Sequence, residues 1–208
     1  MRVQTPFEEK LNALSHLIGA IFGYIALVFL IILHTNKTPW SLFSVIVYGV
    51  SIILLFTAST LYHSIRNKRK KHYFRVLDHI SIYLLIAGTY TPVLLILLHE
   101  SLGWTLFFIV WGIACFGTIL KLFFTGKFEI FSTILYLLMG WLIVFDYSNL
   151  SKIMEANGIY LLFAGGLAYT IGIIFYAFES IPFNHVIWHV FVLVGAMFHF
   201  FMMLFYVI

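Results

Sequence analysis

Seven stretches of almost unbroken apolar sequence, at about residues 16–33, 41–63, 77–98, 104–124, 129–147, 158–178 and 185–207, leave this chain few ways to fold. Each approaches the roughly 20 residues that a helix needs to cross a bilayer. The runs are continuous instead of alternating, which excludes a transmembrane β-barrel. With 62% of the 208 residues hydrophobic and 10% charged, a water-soluble fold would lack polar surface. Disordered, collagen-like and coiled-coil chains are excluded on the same ground. A single cysteine, Cys115, excludes a disulfide framework and a thiolate-rich metal site. The expected fold is all-α and integral to the membrane, with residues 1–208 forming one seven-helix domain.

The breaks between the runs are polar. They fall at Thr35-Asn36-Lys37-Thr38-Pro39, residues 66–75, His99-Glu100-Ser101, Gly126-Lys127, and residues 148–157 and 179–184. Gly126-Lys127 is the weakest, so six spans is the alternative count. Thr5-Pro6-Phe7-Glu8 has the pattern of a helix start: threonine caps, proline suits the first turn, and glutamate reaches back. Residues 1–15 are expected to form a short interfacial segment before the first span. Glu8 and Glu9, with no Ala-x-Ala site, argue against a cleavable signal peptide. Gly19-x-x-x-Gly23 permits close helix packing.

Lysine and arginine set the expected orientation. With a cytoplasmic N-terminus and seven crossings, the inner segments hold Arg2, Lys10, Arg66, Lys68, Arg69, Lys70, Lys71, Arg75, Lys121 and Lys127, and the outer loops only Lys37 and Lys152. The expectation is therefore N-terminus cytoplasmic and C-terminus extracytoplasmic. The basic cluster then lies in the cytoplasmic loop after the second span, where it suits anionic lipid. Nucleic-acid binding has no support, because no soluble module accompanies the cluster.

Ionisable groups are costly in hydrocarbon and mark function. Those in or beside the spans are Glu9, Asn12 and His16 at the first, Ser59 and His63 at the second, Asp78 and His79 at the third, and His185, His189 and His199 at the seventh. Asp146 and Glu179 lie near span ends and are expected to face water; His34, His72 and His99 fall at edges. In the orientation set by charge alone, His63, Asp78, His185 and His189 converge at one depth, just inside the cytoplasmic boundary.

His185-x-x-x-His189 is an i, i+4 pair whose rings lie within roughly 40° of each other on one helix face. Such a pair can ligate one metal, and His63 can supply a third imidazole, leaving the fourth position of a tetrahedral zinc ion open to water. Asp78 either binds the metal or hydrogen-bonds its water, and three histidines favour the second. Imidazole also suits iron, nickel and copper, and a two-histidine, one-carboxylate iron site would arise if Asp78 took the place of His63. His199, about 21 Å along a helix from His185, is too deep to join them. A histidine in a membrane helix is otherwise an interhelical hydrogen-bond donor.

At these residues the chain resembles the haemolysin III family of bacterial membrane proteins, within the larger family of progestin and adiponectin receptors. The resemblance rests on Glu9-Lys10-Leu11-Asn12-Ala13-Leu14-Ser15-His16, Ser59-Thr60-Leu61-Tyr62-His63, Leu77-Asp78-His79-Ile80-Ser81 with Gly88-Thr89-Tyr90-Thr91-Pro92, and His185-Val186-Ile187-Trp188-His189 with His199 ten residues on. It covers nearly the whole chain. It implies a seven-helix fold with a cytoplasmic N-terminus, a multi-pass location in the bacterial cytoplasmic membrane, and a zinc ion held by His63, His185 and His189, with Ser59 and Asp78 matching the family's serine and aspartate.

The function expected from these residues is zinc-dependent intramembrane hydrolysis of a lipid amide or ester. Zinc would bring the pKa of its water to near 7 and polarise the scissile carbonyl. Asp78 would act as general base. Ser59, one turn before His63, would hydrogen-bond the water or the oxyanion. Asn12 and His16 are read as helix-packing groups or as supports behind the ligands. The lipid substrate would arrive laterally from the bilayer. The main rival is a sensor or membrane-homeostasis protein in which zinc only ties helices together. A transporter ranks third and a lytic pore last. The residues point to no protein partner and no oligomeric state.

Overall fold

A computed structural model describes residues 4–208. Arg2, counted above among the inner basic residues, lies outside the described residues. The described residues are helical throughout and contain no strand. Seven helical segments are long and apolar enough to cross a membrane: Pro6–Leu33, Ser41–Ser64, Lys68–Leu97, Gly103–Phe124, Glu129–Ile153, Ala156–Ala177 and Asn184–Val207. The first four begin with helices α1 (Pro6–Leu33), α2 (Ser41–Ser64), α3 (Lys68–Pro92) and α4 (Gly103–Phe124). The fifth is broken into α5 (Glu129–Gly140), a 3-10 turn (Leu142–Asp146) and α6 (Tyr147–Ile153). The last two carry α7 (Ala156–Ala177) and α8 (Asn184–Met202).

Local chemistry explains the boundaries. Thr5 caps α1: its hydroxyl accepts from the Glu8 amide at 3.2 Å, and the Glu8 carboxylate accepts from the Thr5 amide at 2.8 Å. That capping box starts an unbroken helix, so residues 6–15 are the first turns of α1 and form no separate interfacial helix. Asn67 likewise caps α3, accepting from the Lys70 amide at 3.1 Å. The basic cluster therefore winds into the start of α3, and only residues 65–67 separate it from α2. Apolar runs mark where hydrocarbon begins, whereas the backbone ladder continues past that point for as long as a cap and hydrogen bonds sustain it. Pro92 has no N–H to give, and the helix beyond it widens into a π turn over Val93–Leu97.

Helices α1, α2 and α3 pack in sequence, α3 meets α4, α7 pairs with α8, and α8 returns to α1. The span of α3 is central: 78% of its most apolar stretch is buried, against 22% for the fifth span at the periphery. Gly19 and Gly23 do let α1 approach α2, since a Cβ on Gly19 would overlap the Phe56 ring and one on Gly23 would press on Ile52 and Ile53. The contacts Glu9–Lys71, Arg75–Glu129 and Phe7–Phe183 gather the start of α1, the start of α3, the start of α5 and the approach to α8 at one end of the bundle. Trp40 and Trp104 stack edge to face at the other end, 5.3 Å apart.

Candidate metal centre

The bundle end that carries the start of α1 also carries the histidines. His63 closes α2, and α8 opens with Asn184-His185 immediately after Phe183, whose left-handed backbone (φ 56°) turns the chain into the helix. One donor nitrogen from each of His63, His185 and His189 lies within 4.8 Å of the others. Three nitrogens held by one ion at 2.0–2.1 Å would stand roughly 3.4 Å apart, so small side-chain rotations close the set. The ring centroids agree, at 5.2 Å for His63–His185, 4.9 Å for His63–His189 and 4.6 Å for His185–His189.

Two of the three rings are gripped from behind. His63 Nδ1 is 2.7 Å from Glu9 Oε2, and its Nε2 is buried with no hydrogen-bond partner. His189 Nδ1 faces the Asn12 carbonyl oxygen at 3.3 Å and the Ser15 hydroxyl at 3.5 Å. Buried polar atoms are ordinarily satisfied. An imidazole bound on one nitrogen, bare on the other and aimed at two more imidazoles has the arrangement of a metal ligand with its outer support. The residues present therefore fit a divalent cation that favours nitrogen donors.

Asp78 stands outside the converging set. It is half-buried on α3, with His63, Ser59 and Arg75 as its polar neighbours. Ser59 is fully buried. His16 stacks flat on His189, at 3.6 Å and 12° between planes, and Asn12 is fully buried one turn before it. His79, beside Asp78 in sequence, points elsewhere. Its Nδ1 is 3.8 Å from Glu129, which also takes the Nζ of the fully buried Lys121 at 2.8 Å.

Two readings from the sequence change. Asp146 does not face water: it is 2% exposed and accepts from the Ser101 hydroxyl at 2.5 Å, the Leu102 amide at 3.0 Å and Asn149 at 2.7 Å. A carboxylate at the N-terminal end of α4 meets unpaired amides and the positive end of the helix dipole, so burial there is tolerated. Lys121 is not a surface topogenic charge but one half of a buried pair. The sequence marks Glu9 as a costly group without assigning it a role, and the structure puts its carboxylate on His63. The spacing of Glu9 to Asn12 and His16, three and then four residues, already placed all three on one face of α1.

A cavity lies toward the middle of the bundle, and His63, His185 and His189 are not among the residues that line it. Its volume open to water-sized molecules is about 100 Å³, and it is partly open at the surface. Tyr136, Tyr176 and Trp188 line its near end; Tyr176 lies 6.1 Å from the His185 ring. His199 lines its far end, its Nε2 3.1 Å from the Leu162 carbonyl oxygen. The break in the fifth span borders the cavity as well. Tyr90 staples that break, donating to the Gly140 carbonyl and accepting from the Ile143 amide, both at 2.9 Å.

A family model described as haemolysin-III related matches residues 4–200. The chain belongs to the haemolysin-III-related family. Relatives in other organisms are similar along nearly all of it. Hemolysin-3 of Bacillus cereus is 49% identical over 203 residues, covering 97% of this chain and 92% of that protein. The Hemolysin-3 homolog of Bacillus subtilis strain 168 is 47% identical over 200 residues, covering 96% and 94%. The human monocyte to macrophage differentiation factor is 29% identical over 210 residues, covering 95% and 83%. A haemolysin-III-related chain with seven apolar helices is a multi-pass membrane protein.

Proposed function

We propose that this haemolysin-III-related protein is a zinc-binding intramembrane hydrolase of a lipid amide or ester, with His63, His185 and His189 as ligands. The observation that carries the reading is the meeting of three imidazoles, those of His63 and His189 buried and held by their outer nitrogens and that of His185 half-buried. Zinc held there would supply a water acidified to near neutrality and a Lewis acid for the carbonyl. The convergence of imidazoles without Asp78 favours zinc over the two-histidine, one-carboxylate iron alternative.

The rest falls to the chain's own side chains. Asp78 takes the proton of the attacking water and returns it to the departing amine or alcohol. The Ser59 hydroxyl, on α2 one turn before His63 and a neighbour of Asp78, donates to the oxygen that becomes negative. The acyl chain occupies the cavity, where Leu85, Ile86 and Val192 give it apolar walls. Water adds across the acyl C–N or C–O bond, and the products are a fatty carboxylate and the amine or alcohol. Working in the bilayer, the protein would receive its substrate laterally, with the basic start of α3 and the N-terminus on the cytoplasmic side.

Metal analysis of the purified protein in detergent tests the site. Wild type should retain about one equivalent of zinc, and His63→Ala, His185→Ala and His189→Ala should lose it. Equal zinc in all four would end the reading. Asp78→Asn should keep the metal and lose turnover of lipid amides and esters. Turnover indifferent to Asp78 would leave zinc as a tie between helices in a sensor or homeostasis protein.

A further inference from the structure

The three imidazoles come from α2 and α8, yet the groups that orient them come from α1. Glu9 and Asn12 lie one turn apart on α1. The first reaches the outer nitrogen of His63 through its carboxylate, and the second that of His189 through its backbone carbonyl. The two contacts differ in what a substitution can change. A carbonyl stays whatever the residue, whereas the carboxylate is removable. Glu9 is in turn anchored: its Oε1 receives Lys71 Nζ at 2.6 Å while Oε2 holds His63 Nδ1 at 2.7 Å.

Burial separates this contact from an ordinary surface ion pair. The His63 side chain is 1% exposed, against 23% for Glu9 and 27% for Lys71. An exposed Glu–Lys pair alone contributes little. Here the pair has a second consequence: the carboxylate oxygen nearest His63 is held in place, so the imidazole has one orientation that satisfies Nδ1. Turning the ring over would direct Nδ1 at the other histidines and leave the carboxylate without its donor.

We propose that Glu9 is a positioning residue of the metal centre. It accepts the Nδ1–H of His63, which fixes the tautomer and turns the bare Nε2 toward His185 and His189, and Lys71 holds Glu9 in that place. The inference rests on the metal reading above and adds its regulation by α1 and the start of α3. A carboxylate behind a ligating histidine raises ligand basicity and sets ring direction, and losing it typically lowers metal affinity by about 10–100-fold.

The experiment is zinc competition between the full-length protein in detergent and a chromophoric chelator, with the absorption spectrum of the cobalt-loaded protein as second readout. Glu9→Ala should bind zinc about 10–100-fold more weakly. Glu9→Gln keeps an oxygen acceptor at the same reach but loses the charge and the acceptor for Lys71, and should fall between wild type and Glu9→Ala. Glu9→Asp keeps the charge but is one methylene short, and should fall with Glu9→Ala. Lys71→Met should show a smaller loss than Glu9→Ala. Cobalt spectra should change most in Glu9→Ala and Glu9→Asp and least in Glu9→Gln. Metal-free thermal unfolding, which the lost contacts of Glu9 also lower, is measured alongside so that affinity is compared only among folded proteins. Wild-type affinity in Glu9→Ala and Glu9→Asp would overturn the proposal while leaving the metal site standing. A wild type that binds no zinc would overturn the metal reading itself.

Discussion

His63, His189 and His199 are all buried histidines in membrane helices, and their surroundings give them different work. His63 and His189 each spend the outer nitrogen on an acceptor from α1 and offer the inner one to the cluster. His199 spends Nε2 on the Leu162 carbonyl and packs over Gly165, far from the other two. A substitution there should therefore separate from one at the cluster. His199→Ala should retain the wild-type zinc content by metal analysis while losing thermal stability in detergent. The lost interhelical bond alone is worth about 0.5–2 kcal/mol. Zinc loss in His199→Ala comparable to that in His63→Ala would contradict this assignment. Asp78 shows the same dependence on place: on α3 it is near enough to His63 to interact with it, but outside the donor set.

Among the elements, the fifth span is the irregular one. Its helix stops at Gly140 and resumes at Tyr147, and an interrupted backbone at membrane depth must find partners within the protein. Tyr90 supplies two of them from α3, and the Trp141 indole donates to Thr170 of α7 at 3.2 Å. Tyr90→Phe keeps the ring and removes both staples. It should lower stability by about 1–3 kcal/mol per buried group left unpaired, read as a lower unfolding temperature with zinc content unchanged. At the other end of the same span, Glu129 joins α5 to Lys121 of α4 and, at 3.5 Å, to Arg75 of α3. Breaking a buried pair strands one charge. Lys121→Met and Glu129→Gln should thus each destabilise the protein, and the double variant should be less affected than the sum of the two. Additive losses would mean that the two side chains act independently.

For the molecule as a whole, the distribution of lysine and arginine is the ground on which we propose a cytoplasmic N-terminus. The bundle end with the histidines also bears Lys10, residues 66–75 and Lys127, while Lys37 and Lys152 lie at the end with Trp40 and Trp104. After replacement of Cys115, a cysteine at position 152 should react with a membrane-impermeant thiol reagent on intact cells. One at position 69 should react only after permeabilisation. The reverse pattern would invert the topology and place the histidine end outside. The cavity sets a second whole-molecule expectation. It sits between the central α3 and the peripheral fifth span and α7, so narrowing it should act on lipid turnover before it acts on metal. Gly166→Leu, on the α7 wall, should reduce lipid turnover and leave zinc content unchanged.

The apolar runs gave seven membrane spans from sequence alone, as the structure has among the described residues, because the cost of exposing backbone to hydrocarbon leaves a chain this apolar little other solution. The i, i+4 spacing of His185 and His189 determined that they share a face, because helix geometry is local. Capping chemistry likewise announced the start of α1 at Thr5-Pro6. What sequence could not settle was which polar groups meet across helices. Glu9 and His63 are 54 residues apart, and Lys121 pairs with Glu129 across a turn instead of facing water. Asp146 is buried because the amides of another helix happen to end beside it. Those encounters depend on how seven cylinders rotate and tilt against one another. That is decided by close packing over the whole bundle, such as Gly19 under Phe56, and no local pattern encodes it.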